Sequence, residues 1–342
     1  MTDTRKSSIL KFLADRGSSL SPLLILAHNY PDPDAIASAW ALAHLAERVS
    51  GIRCRLGYGG MIGRIENQMM VKLLRIPIQP VKPDTLERTK HVALVDSQPP
   101  FENNPFSSRR RATIVIDHHP RHSRTKADLV MIDETAGATT SLLVEALLES
   151  GLELPARLST AMVYGIGSET QRLGREAGPR DVAAYRACFP KANMRALSKI
   201  ENPPRPGSFF QTLGKAIQRA FTARDVIGVH LGPLPSQEIV AQIADFLMTH
   251  EKMRWSVVTG RYDGKMIVSL RTRNPRAKAG RLLRRLLGGG TSAGGHGMIA
   301  GGSVLIGSEA SEDTWQAAEE SFLRDFLHSQ GCKDPIDVQD PF

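Results

Sequence analysis

The 342-residue chain reads as an α/β protein with an N-terminal doubly wound, mostly parallel sheet and a smaller C-terminal α/β domain containing a mixed sheet. Three observations predict this. Short β-branched apolar runs alternate with helical periodicity across residues 23–166, the pattern of repeated strand–helix–strand units. The first of these runs lacks polar alternation, as a strand covered on both faces does. A proline-rich break at residues 201–207 is followed by two runs joined through Tyr262-Asp263-Gly264, a hairpin signal foreign to a purely parallel sheet.

Taken in order, residues 7–16 are expected to form a short amphipathic helix, and residues 23–27 the first strand. The helix over 35–50 is rich in small residues (Ala35, Ala37, Ser38, Ala39, Ala41, Ala43), which suits close packing. A strand at 53–57 leads into the glycine-rich turn 57–63 and a helix at 65–74. The runs 91–95, 113–116 and 129–132 are short and largely β-branched, which favours strand. Helices are predicted over 139–148, 156–166, 181–189, 192–200 and 209–222. Beyond the break come a strand at 226–231, a helix at 237–249, strands at 255–260 and 265–270, and a basic helix at 279–287. A glycine-rich stretch at 288–302, a strand at 304–306 and a closing helix at 312–330 follow. The expected organisation is a first domain over 1–195, a linker with a helix over 196–224, a second domain over 225–330, and a loose tail over 331–342.

The net charge of +9 points to an anionic partner. Cys54, Cys188 and Cys332 are isolated, so neither a disulfide framework nor a zinc knuckle is supported, and a reduced compartment fits. The N-terminus lacks a signal-peptide pattern, and the apolar runs fall far short of the ~20 residues that span a bilayer. A cytoplasmic protein without a membrane partner is expected.

The polar residues at the strand ends carry the chemistry. His28, Asp32 and Asp34 follow the first strand, Asp96 follows 91–95, and Asp117, His118 and His119 follow 113–116; Glu169 lies in a fourth loop. Proline and aspartate are common in any turn. Three parallel strands that each end in such a group, however, place their side chains along one sheet edge. Carboxylates and imidazoles without thiolates favour Mn²⁺, Mg²⁺ or Fe²⁺. Six or seven such ligands suit two ions rather than one.

The order His28-x-x-x-Asp32-x-Asp34-Ala35, Val95-Asp96-Ser97, Asp117-His118-His119 and a glycine–acid–threonine loop resembles the motifs of DHH phosphoesterases. Ser269-Leu270-Arg271 and Gly294-Gly295-His296 resemble the DHH-associated C-terminal domain. That superfamily includes RecJ-like exonucleases, NrnA-like oligoribonucleases and pAp phosphatases, cyclic-dinucleotide phosphodiesterases and family II pyrophosphatases. The resemblance implies one ion on His28, Asp32 and Asp96, and a second on Asp34, Asp96, His118 and Glu169. It implies a catalytic role for His119 at the substrate phosphate, with Asp117 orienting the histidines. Two Mn²⁺ ions per chain are the implied cofactors, with Mg²⁺ or Fe²⁺ as alternatives. Glu169 departs from the usual aspartate, which bears on metal affinity.

In the C-terminal part, glycine amides and arginine forks suit a phosphate, so Arg271, Arg273, Gly294, Gly295 and His296 are the expected substrate-binding residues. Aromatic content is 6%, without a stacking ladder, which favours short substrates over long single strands. The expected activity is a manganese-dependent, exonuclease-type phosphoesterase. It would hydrolyse short oligonucleotides or nucleotides (nanoRNA, pAp, linear dinucleotides) with a metal-activated hydroxide. A pyrophosphatase or polyphosphatase, and a nucleotide-binding member without turnover, are the alternatives. The expected partner is a short single-stranded oligonucleotide or nucleotide, and a homodimer is left open.

Overall fold

The computed structural model describes residues 6–101, 103–274, 276–288, 292–296 and 298–341; the side chains of residues 6, 7, 292, 295 and 296 lie outside that description. The chain divides into two compact units between Pro203 and Pro204, inside the proline-rich break.

The first unit runs α1 (Lys6–Arg16), β1 (Leu23–Asn29), α2 (Pro33–Ser50), β2 (Cys54–Gly59), α3 (Ile65–Leu74), β3 (Ile78–Pro80), α4 (Pro83–Arg88), β4 (His91–Val95), β5 (Ala112–Asp117), β6 (Ala127–Ile132), α5 (Thr139–Glu149), α6 (Ala156–Glu169), α7 (Pro179–Cys188) and α8 (Met194–Glu201). Its six strands are all parallel, in the order β3-β2-β1-β4-β5-β6. The winding direction reverses between β1 and β4, where open sheets of this kind leave a crevice at their carboxyl ends.

Leu23, Ile25 and Ala27 of β1 enter one core with residues of α2, α5 and α6. Leu24 and Leu26 enter the core on the opposite face, with Leu86 of α4 and Phe106 of the irregular β4–β5 connection. Both faces are therefore dry, which is why the run carries no polar alternation. Helices α2 and α6 pack very closely. A Cβ placed on Gly165 would lie 3.0 Å from the Ala37 Cβ, 3.0 Å from the Pro33 carbonyl oxygen and 3.1 Å from Thr140 Oγ1. The small residues of α2 allow this approach, and it gathers the start of α2, the start of α5 and the end of α6.

The second unit contains α9 (Gly207–Arg219), β7 (Phe221–Ala223), β8 (Val226–Pro233), α10 (Glu238–Leu247), β9 (Trp255–Tyr262), β10 (Lys265–Thr272), α11 (Ala279–Leu287), β11 (Ser292–His296), β12 (Ile299–Leu305) and α12 (Glu312–Ser329). The sheet order is β11-β12-β10-β9-β8-β7; β8 and β9 pair parallel and the other neighbours antiparallel, so the sheet is mixed. Asp263 and Gly264 both take positive φ, 49° and 68°, as a two-residue hairpin turn of this kind requires.

Some expectations change. The glycine-rich stretch at 288–302 contains the β11–β12 hairpin, with Gly294 opposite Gly301 and Gly295 opposite Ala300. Pairing of β11 with β12, and of β12 with β10, supplies the backbone bonds that these glycines lack the side chains to advertise. β3, α4 and β7 are too short, and the first two too proline-rich, to show as periodicity. In the tail expected to be loose, Thr222 and Gln339 exchange two backbone hydrogen bonds of 2.8 Å, and Cys332 is buried. Among the described residues, no helix is long and apolar enough to cross a membrane.

A buried ion pair ties the second sheet to its closing helix. Arg261 on β9 donates from Nε and Nη2 to the two carboxylate oxygens of Glu319 at 2.9 and 2.8 Å, and from Nη1 to Glu312 at 2.6 Å. Its guanidinium also lies over the Trp315 ring, 5.3 Å from the centroid. Glu319→Ala leaves that guanidinium buried without its main partner, and should cost about 3–5 kcal/mol in denaturant unfolding of this unit. Glu312→Ala, at the solvent-exposed end, should cost less. Equal losses would contradict this account.

Candidate functional site

The strand-end residues of the first unit meet at the switch point, and Asp96 is the hub. It is buried, and its φ of 55° is left-handed, a conformation that aspartate reaches more readily than most residues. Its amide donates to the Ile116 carbonyl at 2.9 Å, which continues the β4–β5 ladder and fixes the turn. Asp96 Oδ2 lies 3.5 Å from His28 Nε2. Its Oδ1 lies 3.5 Å from His118 Nε2 and 3.6 Å from His119 Nδ1, and accepts the Thr139 hydroxyl at 2.9 Å. Asp32 Oδ2 is 3.6 Å from His28 Nε2. Two ligand groups result, His28–Asp32–Asp96 and Asp96–His118–His119, each with ligand atoms within 4.8 Å of one another.

The side chains are presented as metal ligands are. His118 Nε2 is buried without a hydrogen-bond partner, while Nδ1 lies 3.2 Å from the Ala136 carbonyl oxygen and fixes the ring. His28 anchors Nδ1 on its neighbour's carbonyl at 2.8 Å and turns Nε2 to carboxylates beyond ordinary hydrogen-bond distance. Imidazoles anchored by one nitrogen and aimed with the other, among carboxylates, fit divalent cations.

Asp32 caps α2, accepting the Ala35 amide at 2.9 Å with Oδ1. Asp34 sits in the first turn of α2, and both its oxygens accept amides from the start of α5: Thr139 at 2.7 Å and Thr140 at 2.8 Å. A helix N-terminus holds this carboxylate, and each oxygen retains a second lone pair. Glu169, expected in a loop, instead ends α6, since the Thr170 amide still bonds back to Ile166 at 3.0 Å. Arg175 donates to the Glu169 carbonyl at 2.9 Å and lies 3.9 Å from Oε1. Asp34 and Glu169 fall outside both groups of three, so the structure brings them beside the cluster rather than into it. Asp117, expected to orient the histidines, lies behind His119. It is fully buried; its Oδ1 accepts the His118 amide at 2.9 Å and pairs with His119 Nδ1 at 2.9 Å.

Burial pushes the Asp34 carboxyl up to about 7, reinforced by the charge on Asp96. Burial, with the charges of Asp32, Asp34 and Asp96, pushes Glu169 up to about 8. Burial opposes ionisation of Asp96 as well, yet a hydrogen bond with His28 and the charges of His119 and His118 hold its carboxyl well below the usual range. For His119, burial is outweighed by Asp117 and Asp96, and the imidazole is raised to about 10. Asp32 and Asp96 raise His28 in the same way, and Asp96 raises His118.

Several contributors carried no sequence signal of this role. Gln98 is buried and donates to Asp117 Oδ2 at 2.7 Å, while its own oxygen accepts the His122 amide and the Thr125 hydroxyl at 2.8 and 2.7 Å. Asp181 Oδ2 accepts the Gly137 and Gly178 amides at 2.9 and 2.8 Å, which steadies the loop before Thr139. Thr139 and Thr140, which the sequence offers as helix caps or phosphate contacts, instead bond Asp34 through their amides and Asp96 through the Thr139 hydroxyl.

In the second unit, Arg271 is buried and donates to Asp245, to Ser269 Oγ at 2.7 Å and to the Leu270 carbonyl at 3.0 Å. The register puts Arg271 opposite Ile299, and Ile299 opposite His296; Ser269, Gly301 and Gly294 form a parallel row. Nothing lies within 4 Å of a Cβ placed on Gly294. The side chains of Gly295 and His296 lie outside the described residues. Arg273, expected beside Arg271 as a phosphate contact, lies past the end of β10. It donates to the carbonyls of Met248, His250 and Glu251 at 3.0, 3.2 and 3.4 Å, which closes the C-terminal end of α10.

Loading the cluster with a divalent ion requires bare carboxylates, so Asp34 and Glu169 must give up their protons. His28 and His118 must also shed the protons that Asp32 and Asp96 hold on them, so Mn²⁺ affinity should rise through pH 7 and 8 and keep rising above, with protons released at pH 7. Calorimetry in buffers of differing ionisation enthalpy reads that release; a pH-independent affinity would contradict it. In the metal-free protein the sign is opposite. Both folded-state values lie above the unfolded ones of about 4, so this stabilising contribution is complete below about pH 4 and is lost as pH rises through 7 and 8.

Residues 22–166 match the DHH family, N-terminal domain, and residues 226–322 match the DHHA1 domain. An uncharacterized protein of Methanocaldococcus jannaschii is 33% identical over 309 residues, 88% of this chain and 62% of that protein. A probable manganese-dependent inorganic pyrophosphatase of Enterococcus faecalis is 26% identical over 152 residues, 44% of this chain and 49% of its own. The chain thus spans less than two thirds of the length of either relative. Among solved structures, an exopolyphosphatase-related protein from Bacteroides fragilis matches with a TM-score of 0.72 at 12% identity, covering 96% of this chain and all of the other. RecJ of Thermus thermophilus, in complex with Mn²⁺, matches with a TM-score of 0.53 at 13% identity, covering 98% of this chain and 56% of RecJ. At such identities the likeness is one of fold. With both domains present in tandem, the chain belongs to the DHH superfamily and carries the DHHA1 domain C-terminal to its DHH domain.

Proposed function

We propose that this protein is a two-metal, manganese-dependent phosphoesterase that hydrolyses phosphoester bonds of short oligonucleotides or nucleotides such as pAp and linear dinucleotides. The observation that carries this reading is the shared carboxylate: Asp96 turns one oxygen to His28 and the other to His118, each at 3.5 Å. Two divalent ions, when bound, supply Lewis-acid activation of water and neutralise phosphoryl charge.

The protein's own groups do the rest. His28, Asp32, Asp96 and His118 hold the ions, with Asp34 and Glu169 completing the donor set as they lose their protons. His119, one third exposed and kept cationic by Asp117 and Asp96, can set positive charge or a proton against the phosphoryl or leaving oxygen. Asp117 and Gln98 keep the imidazole in register. In the DHHA1 unit, the open Gly294 row and the fixed Arg271 support a role in binding a phosphate or nucleotide. A short substrate follows from the scarcity of aromatic residues.

A second reading, an inorganic pyrophosphatase or polyphosphatase, draws on the likeness to pyrophosphatases. That likeness covers 44% of the chain, whereas residues 226–322 match a DHHA1 domain. One panel separates the readings: pAp, pApA, pGpG, a cyclic dinucleotide, a longer single strand and pyrophosphate, each with Mn²⁺ and with Mg²⁺. Turnover should be greatest on the short linear nucleotides with Mn²⁺. Asp96→Asn should lower it by more than about a hundredfold, the scale reached by losing groups that merely orient metal ligands. Turnover of pyrophosphate alone would favour the second reading, and unimpaired Asp96→Asn would sink both.

A further inference from the structure

We propose that Tyr30 is a stacking platform for a nucleobase of the substrate, and that it gives the site its preference for nucleotides over base-free phosphates. The inference rests on the phosphoesterase reading above and assigns it a specificity residue.

Tyr30 lies between His28 and Asp32, both members of one ligand group, yet the residue is 59% exposed. A single exposed aromatic is unremarkable by itself. This one, however, is held in place. Its φ of 56° is left-handed, an unusual conformation for a bulky residue, and such conformations persist where the surroundings over-determine them, often at ligand clamps. Its amide donates to the Gly59 carbonyl at 3.0 Å. Its ring lies against Gly60: a Cβ there would meet three ring carbons at 3.0, 3.1 and 3.1 Å, and Gly60 itself has a φ of 67°. The preceding residue is seated likewise, since a Cβ on Gly59 would fall 1.8 Å from Asn29 Oδ1. The glycine-rich turn after β2, which the metal cluster leaves unexplained, is thus the seat of the segment between His28 and Asp32.

Position agrees with the role. Gly59 ends β2, β1 lies next to it, and Asp96 follows β4 on the far side of β1. At two strand spacings of about 4.8 Å each, the turn that seats the ring lies roughly 10 Å along the sheet edge from the shared carboxylate. A nucleotide spans such a reach between phosphate and base. The exposed ring offers a π surface that accepts any base, and base–aromatic stacking is lost when the ring is cut back to alanine.

The test compares pApA with the same dinucleotide made abasic at the 5′ or the 3′ residue, using the full chain and Mn²⁺. In the wild type, removal of one of the two bases should raise KM roughly tenfold with little change in kcat. Tyr30→Ala should erase that difference, so that the KM ratio between pApA and that abasic analogue collapses toward one. Tyr30→Trp should restore it, and its emission should be quenched on addition of pApA to protein that also carries Asp96→Asn. An unchanged ratio in Tyr30→Ala, or an equal fall of kcat on all three substrates, would overturn the inference while leaving the phosphoesterase reading intact. A wild type that turns over pyrophosphate but no nucleotide would overturn both.

Discussion

A single carboxylate set among three imidazoles governs this molecule. Asp96 is buried at the point where the sheet reverses its winding. Placing one carboxylate there would be costly unless positive charge came with it. His28 arrives from β1, and His118 and His119 from the end of β5, so the balance of charge is made by three strands rather than by one loop. That dependence fixes the order of the strands at the switch point. It also explains the left-handed turn at Asp96 itself, whose amide must still complete the ladder to Ile116.

The second tier of the site is built from helix ends. Asp32 caps α2, Asp34 receives the first two amides of α5, and Glu169 terminates α6. Partial charges of opposite sign thus face each other: the positive end of α5 meets a carboxylate whose ionisation burial opposes. In the C-terminal unit the apportionment differs. Arg271 is locked into the sheet by Asp245 and Ser269, whereas Arg273, two residues on, serves the end of α10.

The strands bearing His28, Asp96 and Asp117 were legible because strands buried on both faces leave uninterrupted apolar runs, and the polar residue ending each run marks a carboxyl end. The grouping of those residues followed from parallel topology alone. What stayed hidden depends on contacts between distant segments. No local pattern marks Gln98 as the partner of Asp117, nor Asp181 as the clamp on Gly137. Glu169 looked like a loop residue because Gly167 and Ser168 end the apolar run that stops at Ile166, yet the helix continues to Glu169, and Gly165 within it is a packing requirement. The glycines of β11 and β12 concealed a hairpin, since a strand without side chains has no alternation to read.

The contact at Gly165 has a mechanical meaning. Helices that meet backbone to methyl leave little room to shift against each other, so the α2–α6 spacing is set by that contact. Asp34 rides at the front of one member and Glu169 at the rear of the other. The gap between their carboxylates is therefore gauged by a glycine and an alanine rather than by either acid. Discrimination between cations of different ionic radius would then be written into the helix interface. A methyl group added at that interface would retune the site without touching a ligand.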